Sequence, residues 1–103
     1  MKKVMISMPM AGKNENQIKE ELNVITEMLN KQGYDVIDSF VDENPISIGK
    51  KGVVNVPLYF LAKSIECLSH CDALYCGKGW ENARGCRIER ETAKEYGLKI
   101  IEG

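Results

Sequence analysis

The chain has 103 residues, with 14 Lys and Arg against 15 Asp and Glu, and 44% of the residues are hydrophobic but only 7% aromatic. This length predicts one domain over residues 1–103, with one core and little room for a deep, self-contained active site. The formal net charge of -1 argues against nucleic acid as a partner, because a surface that follows phosphates normally carries a basic surplus.

The first residues carry no recognisable targeting signal. Lys2 and Lys3 precede a short apolar run, but Ser7 and Pro9 interrupt it, so the segment is too short for a signal peptide. No run of the sequence approaches the roughly 18 apolar residues of a membrane span. We therefore expect a cytoplasmic protein that has no membrane partner.

The cysteines follow none of the spacings that are typical of zinc or redox sites. Their apolar neighbours favour buried free thiols over disulfides. His70 is the only histidine and cannot complete a metal site with Cys71, so we expect no metal and no cofactor. The four cysteines are Cys67, Cys71, Cys76 and Cys86.

The first third of the chain predicts a strand, a helix and a second strand. Lys3 to Ser7 is a short apolar strand, and Met8 to Gly12 is the turn that follows it. The helix runs from a cap at Asn14 or Asn16 to Gly33, and Tyr34 to Ile37 forms the second strand. The helix is indicated by apolar residues that share one face, namely Ile18, Leu22, Ile25 and Leu29.

The remaining sequence predicts a long irregular loop, a helix, a strand, a glycine-bracketed loop, a third helix and a fourth strand. In the second helix, Leu58, Leu61, Ile65 and Leu68 keep an apolar stripe. These six elements cover, in order, Asp38 to Val56, Pro57 to Ser69, Asp72 to Cys76, Gly77 to Gly85, Cys86 to Tyr96 and Leu98 to Ile101.

Strands that alternate with helices predict an α/β fold, a flavodoxin-like three-layer sandwich with a four- to five-stranded parallel sheet. Ligands of such sheets bind beyond the carboxyl ends of the strands. The loops that follow Ser7, Ile37 and Cys76 are therefore the expected site.

Glu89 breaks the pattern of the third helix. At about 100° per residue it falls in the middle of the apolar arc, and a carboxylate there is costly to bury unless it is paired or functional. The helix N-terminus, with Arg84 and Arg87 nearby, would help to keep it ionised. The pattern leaves two interpretations open, a structural pair with an arginine or a hydroxyl, and a nucleophile or general base. The apolar arc consists of Cys86, Ile88, Thr92, Ala93 and Tyr96.

The loop before this helix contains Trp80, the sole tryptophan. Because it stands between glycines, we interpret it as part of a binding wall rather than of the core. The glycines allow close backbone approach and leave N–H groups free near a helix start, which forms a possible anion cradle. Neither Gly12-Lys13 nor Gly77-Lys78-Gly79 meets the spacing of a Walker or dinucleotide motif.

Three segments and two later residues carry a family resemblance. They are Ile6 to Gly12, Cys71 to Tyr75, Gly79 to Glu89, Ala93 and Gly97. Together they resemble the nucleoside 2-deoxyribosyltransferase-like superfamily, and most closely a small branch found often in phages and bacteria. The resemblance covers nearly the whole chain, and it implies a single domain of this kind with a parallel α/β sandwich.

The resemblance implies that Glu89 attacks the anomeric carbon of a deoxyribosyl group, releases the base and forms a covalent glycosyl-enzyme. A second base then gives transfer, and water gives hydrolysis. The small-molecule partner would be a nucleoside or nucleotide, held by the loops after the first and third strands. The implied binding residues are Ser7, Met8, Pro9, Met10, Gly12, Gly77, Gly79, Trp80, Glu81, Asn82, Arg84 and Gly85.

The sequence departs from the superfamily at three positions. Active members usually have a tyrosine where Met5 stands, an aspartate at the position of Ser64, and an aspartate or serine at Ala83. Catalysis should then be weaker or differently organised. The alternative is a non-catalytic nucleotide-binding module, and a third hypothesis is a flavin or redox role. We also expect a homo-oligomer, in which a neighbour's Asp38 to Val56 loop closes the pocket, as the resemblance also implies.

Overall fold

The computed structural model describes residues 1–37 and 45–103. The four strands are β1 (Lys2–Ser7), β2 (Tyr34–Ile37), β3 (Ala73–Cys76) and β4 (Lys99–Glu102). The helices within these residues are α1 (Glu15–Lys31), α2 (Pro45–Lys50), α3 (Val56–Leu68) and α4 (Arg84–Glu95), and a short 3-10 turn covers Trp80–Asn82. The sheet has the order β2-β1-β3-β4, and all its pairs are parallel. The predicted flavodoxin-like α/β sandwich is confirmed.

The alternation of side chains along the strands gives the sheet two apolar faces. Val4 of β1 packs on the side of α1, and Met5 packs on the side of α3 and α4; both are fully buried. One core cluster consists of Val4, Leu29, Tyr34, Ala73 and Tyr75, and the other of Met5, Leu68, Leu74, Cys76 and Ala93. One helix therefore covers one face, while two helices cover the other.

The predicted first helix is confirmed, and its start is well defined. The Asn14 side chain accepts a hydrogen bond from the N–H of Gln17 at 2.8 Å, and the Gln17 side chain accepts one from the N–H of Asn14 at 2.9 Å. This capping box satisfies two N–H groups that have no partner inside the helix. Leu29 is fully buried, so the apolar face is anchored on the sheet.

Helix α2 lies in the segment that was predicted to be an irregular loop, so that prediction was wrong for Pro45–Lys50. A six-residue helix is too short for an apolar period to show in the sequence, and Ile48 is the residue it buries fully. The preceding part of the predicted loop, residues 38–44, lies outside the described residues.

Some apolar residues that were assigned to buried helix faces are exposed. Leu58 is 57% exposed because it lies in the first turn of α3, where the Asn55 side chain accepts the Leu58 N–H. Ile88 is 40% exposed because it is turned by about 100° from Glu89. Tyr96 is 81% exposed because it follows the last residue of α4.

A hydrogen bond from the backbone to a carboxylate joins the two central strands at their amino ends. Asp72 precedes β3, and its side chain accepts the N–H of Lys3 at 2.8 Å, which joins the amino ends of β1 and β3.

Among the described residues, no helix is long and apolar enough to cross a membrane.

Gly77 allows the two central strands to end side by side. Its N–H donates to the carbonyl of Ser7 at 2.8 Å, and a Cβ at this position would lie 2.9 Å from the Met8 Cβ and 3.3 Å from the Met8 Cα. The backbone of Met8 cannot move aside without breaking this junction, so the close approach requires glycine.

We predict that Gly77→Ala lowers the free energy of unfolding by about 1–3 kcal/mol, because the added methyl group overpacks this junction. Gly85→Ala is the matched control, since a Cβ there has no neighbour within 4 Å. Urea unfolding measures both variants, and equal stability of the two would contradict the assigned close approach.

Candidate functional site

Glu89 is buried at the carboxyl end of the two central strands. Its side chain lies on α4, is 9% exposed, and faces the end of β1. The Ser7 hydroxyl donates to the Glu89 carboxylate, with an Oγ to Oε1 distance of 2.8 Å. The structure therefore brings together Ser7 and Glu89, two residues that the sequence placed in the site, although they are 82 positions apart.

A second hydroxyl holds the same carboxylate. Ser64 of α3 forms a side-chain hydrogen bond with Glu89, so β1, α3 and α4 each contribute one residue to the cluster. The structural interpretation of Glu89 allowed either an arginine or a hydroxyl as its partner, and the partners in the structure are hydroxyls. Ser64 was not among the expected binding residues, and the only signal for it was that it stands where the resembling superfamily has an aspartate.

The pKa of Glu89 is raised above its ordinary value of 4.5, because burial disfavours the charged form. The hydrogen bonds from Ser7 and Ser64 favour the carboxylate and oppose part of this effect. Neither arginine that was expected to help contacts Glu89 within the described part of the chain. Arg84 is exposed, and an Arg87 Nη donates to the Glu81 carbonyl at 2.9 Å.

Cys86 shares the buried face with Glu89, one turn earlier on α4. Its thiol forms a hydrogen bond with Ser7, and burial raises its pKa. Burial also raises the pKa of Cys76 to about 11. The four cysteines are thiols that form no disulfide, and the raised pKa values of Cys76 and Cys86 keep these two thiols protonated and unreactive. The geometry therefore gives no support to the redox hypothesis.

The loops after β1 and β3 touch, as expected for a shared site. Met8 is buried against Gly77, and Pro9 lies beside Gly79, which has a φ of +86°. The other binding residues that the sequence assigned to these two loops lie on the exposed rim, and none of them bonds to Glu89 in the described ranges. They are Met10, Gly12, Glu81, Asn82, Arg84 and Gly85.

Trp80 is half-buried and packs against the core cluster of Met5 and Leu74. The guanidinium of Arg90 lies over its ring, 4.2 Å from the centroid, and an Arg90 Nη reaches Glu102 at 2.7 Å. Trp80 therefore lies at the edge of the core with one face of its ring covered by a cation, and its role in a binding wall stays a prediction. Arg90 is not part of the apolar arc of this helix, and the sequence gave no signal for this contact.

An open cleft of about 460 Å³ lies at the same end of the sheet but on the α1 side. Met8, Tyr75 and Gly77 form its floor, and α1 forms one wall. The carboxylate of Glu89 faces the α3 and α4 side instead. The sequence predicted one site at this edge, whereas the structure has a carboxylate on one face and a cleft on the other.

The described residues contain no group of three or more His, Cys, Asp or Glu side chains that could hold a metal ion. The polar groups gathered at Glu89 are its carboxylate, the hydroxyls of Ser7 and Ser64, and the thiol of Cys86.

Comparison with known families agrees with a fold that spans the whole chain. Residues 2–102 match the model of the family described as "Domain of unknown function (DUF4406)". The chain belongs to the DUF4406 family. No curated protein matches the sequence. Because the match includes both β1 and β4, the DUF4406 domain contains Ser7, Ser64, Cys86 and Glu89, and every lining residue of the cleft except Gly103.

We predict that Glu89→Gln stabilises the protein at neutral pH. The folded state holds the proton of Glu89 more tightly than the unfolded chain does, so raising the pH above 4.5 ionises the unfolded chain first and removes stability from the wild type. Gln keeps an acceptor for Ser7 but has no charge to bury. The advantage of the variant in free energy of unfolding should therefore grow from about pH 4 to about pH 7.

Urea unfolding at both pH values measures this difference. Glu91→Gln, at an exposed carboxylate on the same helix, is the control and should show a smaller change with pH. A Glu89→Gln advantage that is the same at both pH values would contradict the raised pKa.

Proposed function

We propose that this protein cleaves or transfers the N-glycosidic bond of a nucleoside or nucleotide, with Glu89 as the nucleophile, as a nucleoside 2-deoxyribosyltransferase-like enzyme would. The observation that supports the proposal most is the burial of Glu89, with Ser7 donating to it at 2.8 Å, at the carboxyl end of the central strands. Ligands of parallel sheets bind at this end.

In the proposed reaction, a Glu89 oxygen bonds to the anomeric carbon as the bond from that carbon to the base nitrogen breaks. The electron pair leaves on the base, which takes a proton from water. A second base or a water molecule then attacks the same carbon and frees the carboxylate. A carboxylate stabilises and traps oxocarbenium character in retaining glycosidases in the same way.

Burial of the carboxylate is compatible with this role. Because burial disfavours the charged form of Glu89, it also favours conversion of the carboxylate to a neutral ester. Ser7 and Ser64 keep the carboxylate oriented and favour its ionised form, which is the form that attacks. The desolvation that raises the pKa of Glu89 therefore also favours the proposed reaction.

A second candidate function is a binding module that takes a nucleotide or a related metabolite without turnover. It is favoured by the lack of a second acid, because Glu89 is the only carboxylate that is buried among the described residues. Met5, Ser64 and Ala83 stand where the resembling superfamily carries further polar groups, so protonation of the leaving base has no assigned residue.

The assembly that we propose is a cytoplasmic homo-oligomer in which a neighbouring copy closes the site. Three large apolar side chains support it, because they are exposed in the loop after β1, in the segment before α3 and in the first turn of α3. These are Met10, Val54 and Leu58, which are 51%, 98% and 57% exposed.

If the protein is a homo-oligomer, light scattering at micromolar concentration should give a mass of at least twice the 11.6 kDa of one chain. Leu58→Glu should shift the mass towards that of one chain, because it buries a charge in the interface. A wild-type protein of one-chain mass would contradict the assembly.

The enzyme predicts release of free base from a deoxynucleoside or a deoxynucleoside monophosphate, with or without an acceptor base. Glu89→Gln should lower the rate by about a thousandfold or more, because it removes the nucleophile. Glu91→Gln is the matched control and should release base at the wild-type rate. Mass spectrometry of the denatured enzyme tests for the sugar adduct on Glu89.

Base release that persists in Glu89→Gln would contradict the assigned nucleophile. Absence of release from every substrate, together with a ligand-induced rise in melting temperature, would favour the binding module, because binding stabilises the folded state whether or not chemistry follows.

A further inference from the structure

The cleft on the α1 side has the size and position of a ligand site. Its volume of about 460 Å³ falls within the range of small-molecule pockets, roughly 300–1,000 Å³. It lies beside the ends of β1 and β3, the neighbouring strands whose following helices cover opposite faces of the sheet. This is the switch point at which parallel sheets bind their ligands.

Cationic and anionic side chains line the cleft in equal number, but their pairing leaves one cation available. Lys13 Nζ lies 2.9 Å from a carboxylate oxygen of Glu21, so these two charges largely cancel. Lys78 has no ion pair in the described part of the chain, and the remaining carboxylate belongs to Glu20, which lies on an exposed turn of α1.

The loop backbone adds hydrogen-bond donors to the cleft. The carbonyls of Gly77 and Gly79 accept the N–H groups of Trp80 and Asn82. The N–H groups of Lys78 and Gly79 donate to no acceptor in the described ranges. Neighbouring free N–H groups favour an anion, and an oxyanion such as phosphate has enough acceptor oxygens for several donors.

The cleft and the Glu89 carboxylate lie at the same end of the sheet. Burial raises the pKa of Cys86, and the charge of Lys13 opposes part of this effect, so the ammonium lies within electrostatic reach of that thiol. Cys86 lies one turn before Glu89 on α4. Met8 and Gly77, which line the cleft, directly follow Ser7 and Cys76, the last residues of β1 and β3.

We infer that this cleft binds the phosphate of a nucleoside 5′-monophosphate through Lys78, Lys13 and the N–H groups of the Gly77 to Gly79 loop. The inference rests on the proposed function in one respect, namely that the glycosidic bond of the bound nucleotide points towards Glu89. Binding of the phosphate requires no turnover.

Isothermal titration with a deoxynucleoside, its 5′-monophosphate and inorganic phosphate tests the inference. The monophosphate should bind wild-type protein about tenfold or more tightly than the nucleoside, and its affinity should fall as salt is added. Lys78→Met should weaken monophosphate binding by about tenfold and leave nucleoside binding nearly unchanged. Lys94→Met, at an exposed lysine in the last turn of α4 and so at the opposite end of the sheet, should leave both affinities unchanged.

A second variant tests the lysine that is already paired. Lys13→Met combined with Glu21→Gln removes both partners of the ion pair and conserves the net charge, and it should also weaken monophosphate binding. The melting temperature of each variant without ligand shows that it is folded.

Equal affinity for nucleoside and monophosphate, equal effects of Lys78→Met and Lys94→Met, or no binding of either phosphate ligand at millimolar concentration would each overturn the inference. If base release requires Glu89 but is no faster from the monophosphate than from the nucleoside, the inference is overturned and the proposed function stands. Monophosphate binding that needs Lys78 without any base release would support the phosphate site and contradict the enzyme.

Discussion

The hydrogen bond from Ser7 to Glu89 is the interaction on which the arrangement of this site depends. It joins the end of a central strand to the helix that follows the neighbouring strand, and it satisfies a carboxylate that would be costly to bury alone. An arginine in this position would neutralise the charge and lower the pKa of the carboxyl. Hydroxyl donors satisfy the oxygens and leave the charge in place, so the group is held without a cation that would neutralise it.

The sheet explains why a serine is available at that point. Side chains alternate along β1, so Met5 and Ser7 face the two-helix side while Val4 and Met8 face α1. Met5 is fully buried in the core, whereas Ser7 lies at the edge where the sheet ends and α4 begins. The transition from core to site therefore takes place within two residues of one strand. Gly77 keeps the neighbouring strand close enough for this edge to form.

The sequence predicted the strands, the long helices and the buried Glu89, because each of them leaves a periodic signal. Leu29 and the Asn14 cap define α1, and Glu89 stands out as a polar residue on an apolar arc. Contacts between elements leave no such signal. The stacking of Arg90 on Trp80 depends on how α4 packs against the loop, and the bond from Ser64 depends on the rotation of α3. Helix α2 was missed because six residues do not establish a period.

The same limit applies to the two faces of the site. The sequence indicated which loops meet at the carboxyl edge, and the alternation along β1 could have separated Ser7 from Met8. It could not show that a space stays open beside α1. The cleft lies between α1 and the residues that follow β1 and β3, and its width depends on side chains that no periodic pattern singles out.

The residues that contact the Glu89 carboxylate and the residues that line the cleft have no member in common. Val24, at the cleft wall, is 69% exposed and supports neither the core nor the carboxylate. Substitutions there can reshape the cleft at little cost in stability. Within one short domain, the shape of the cleft and the surroundings of the carboxylate can therefore change independently during evolution.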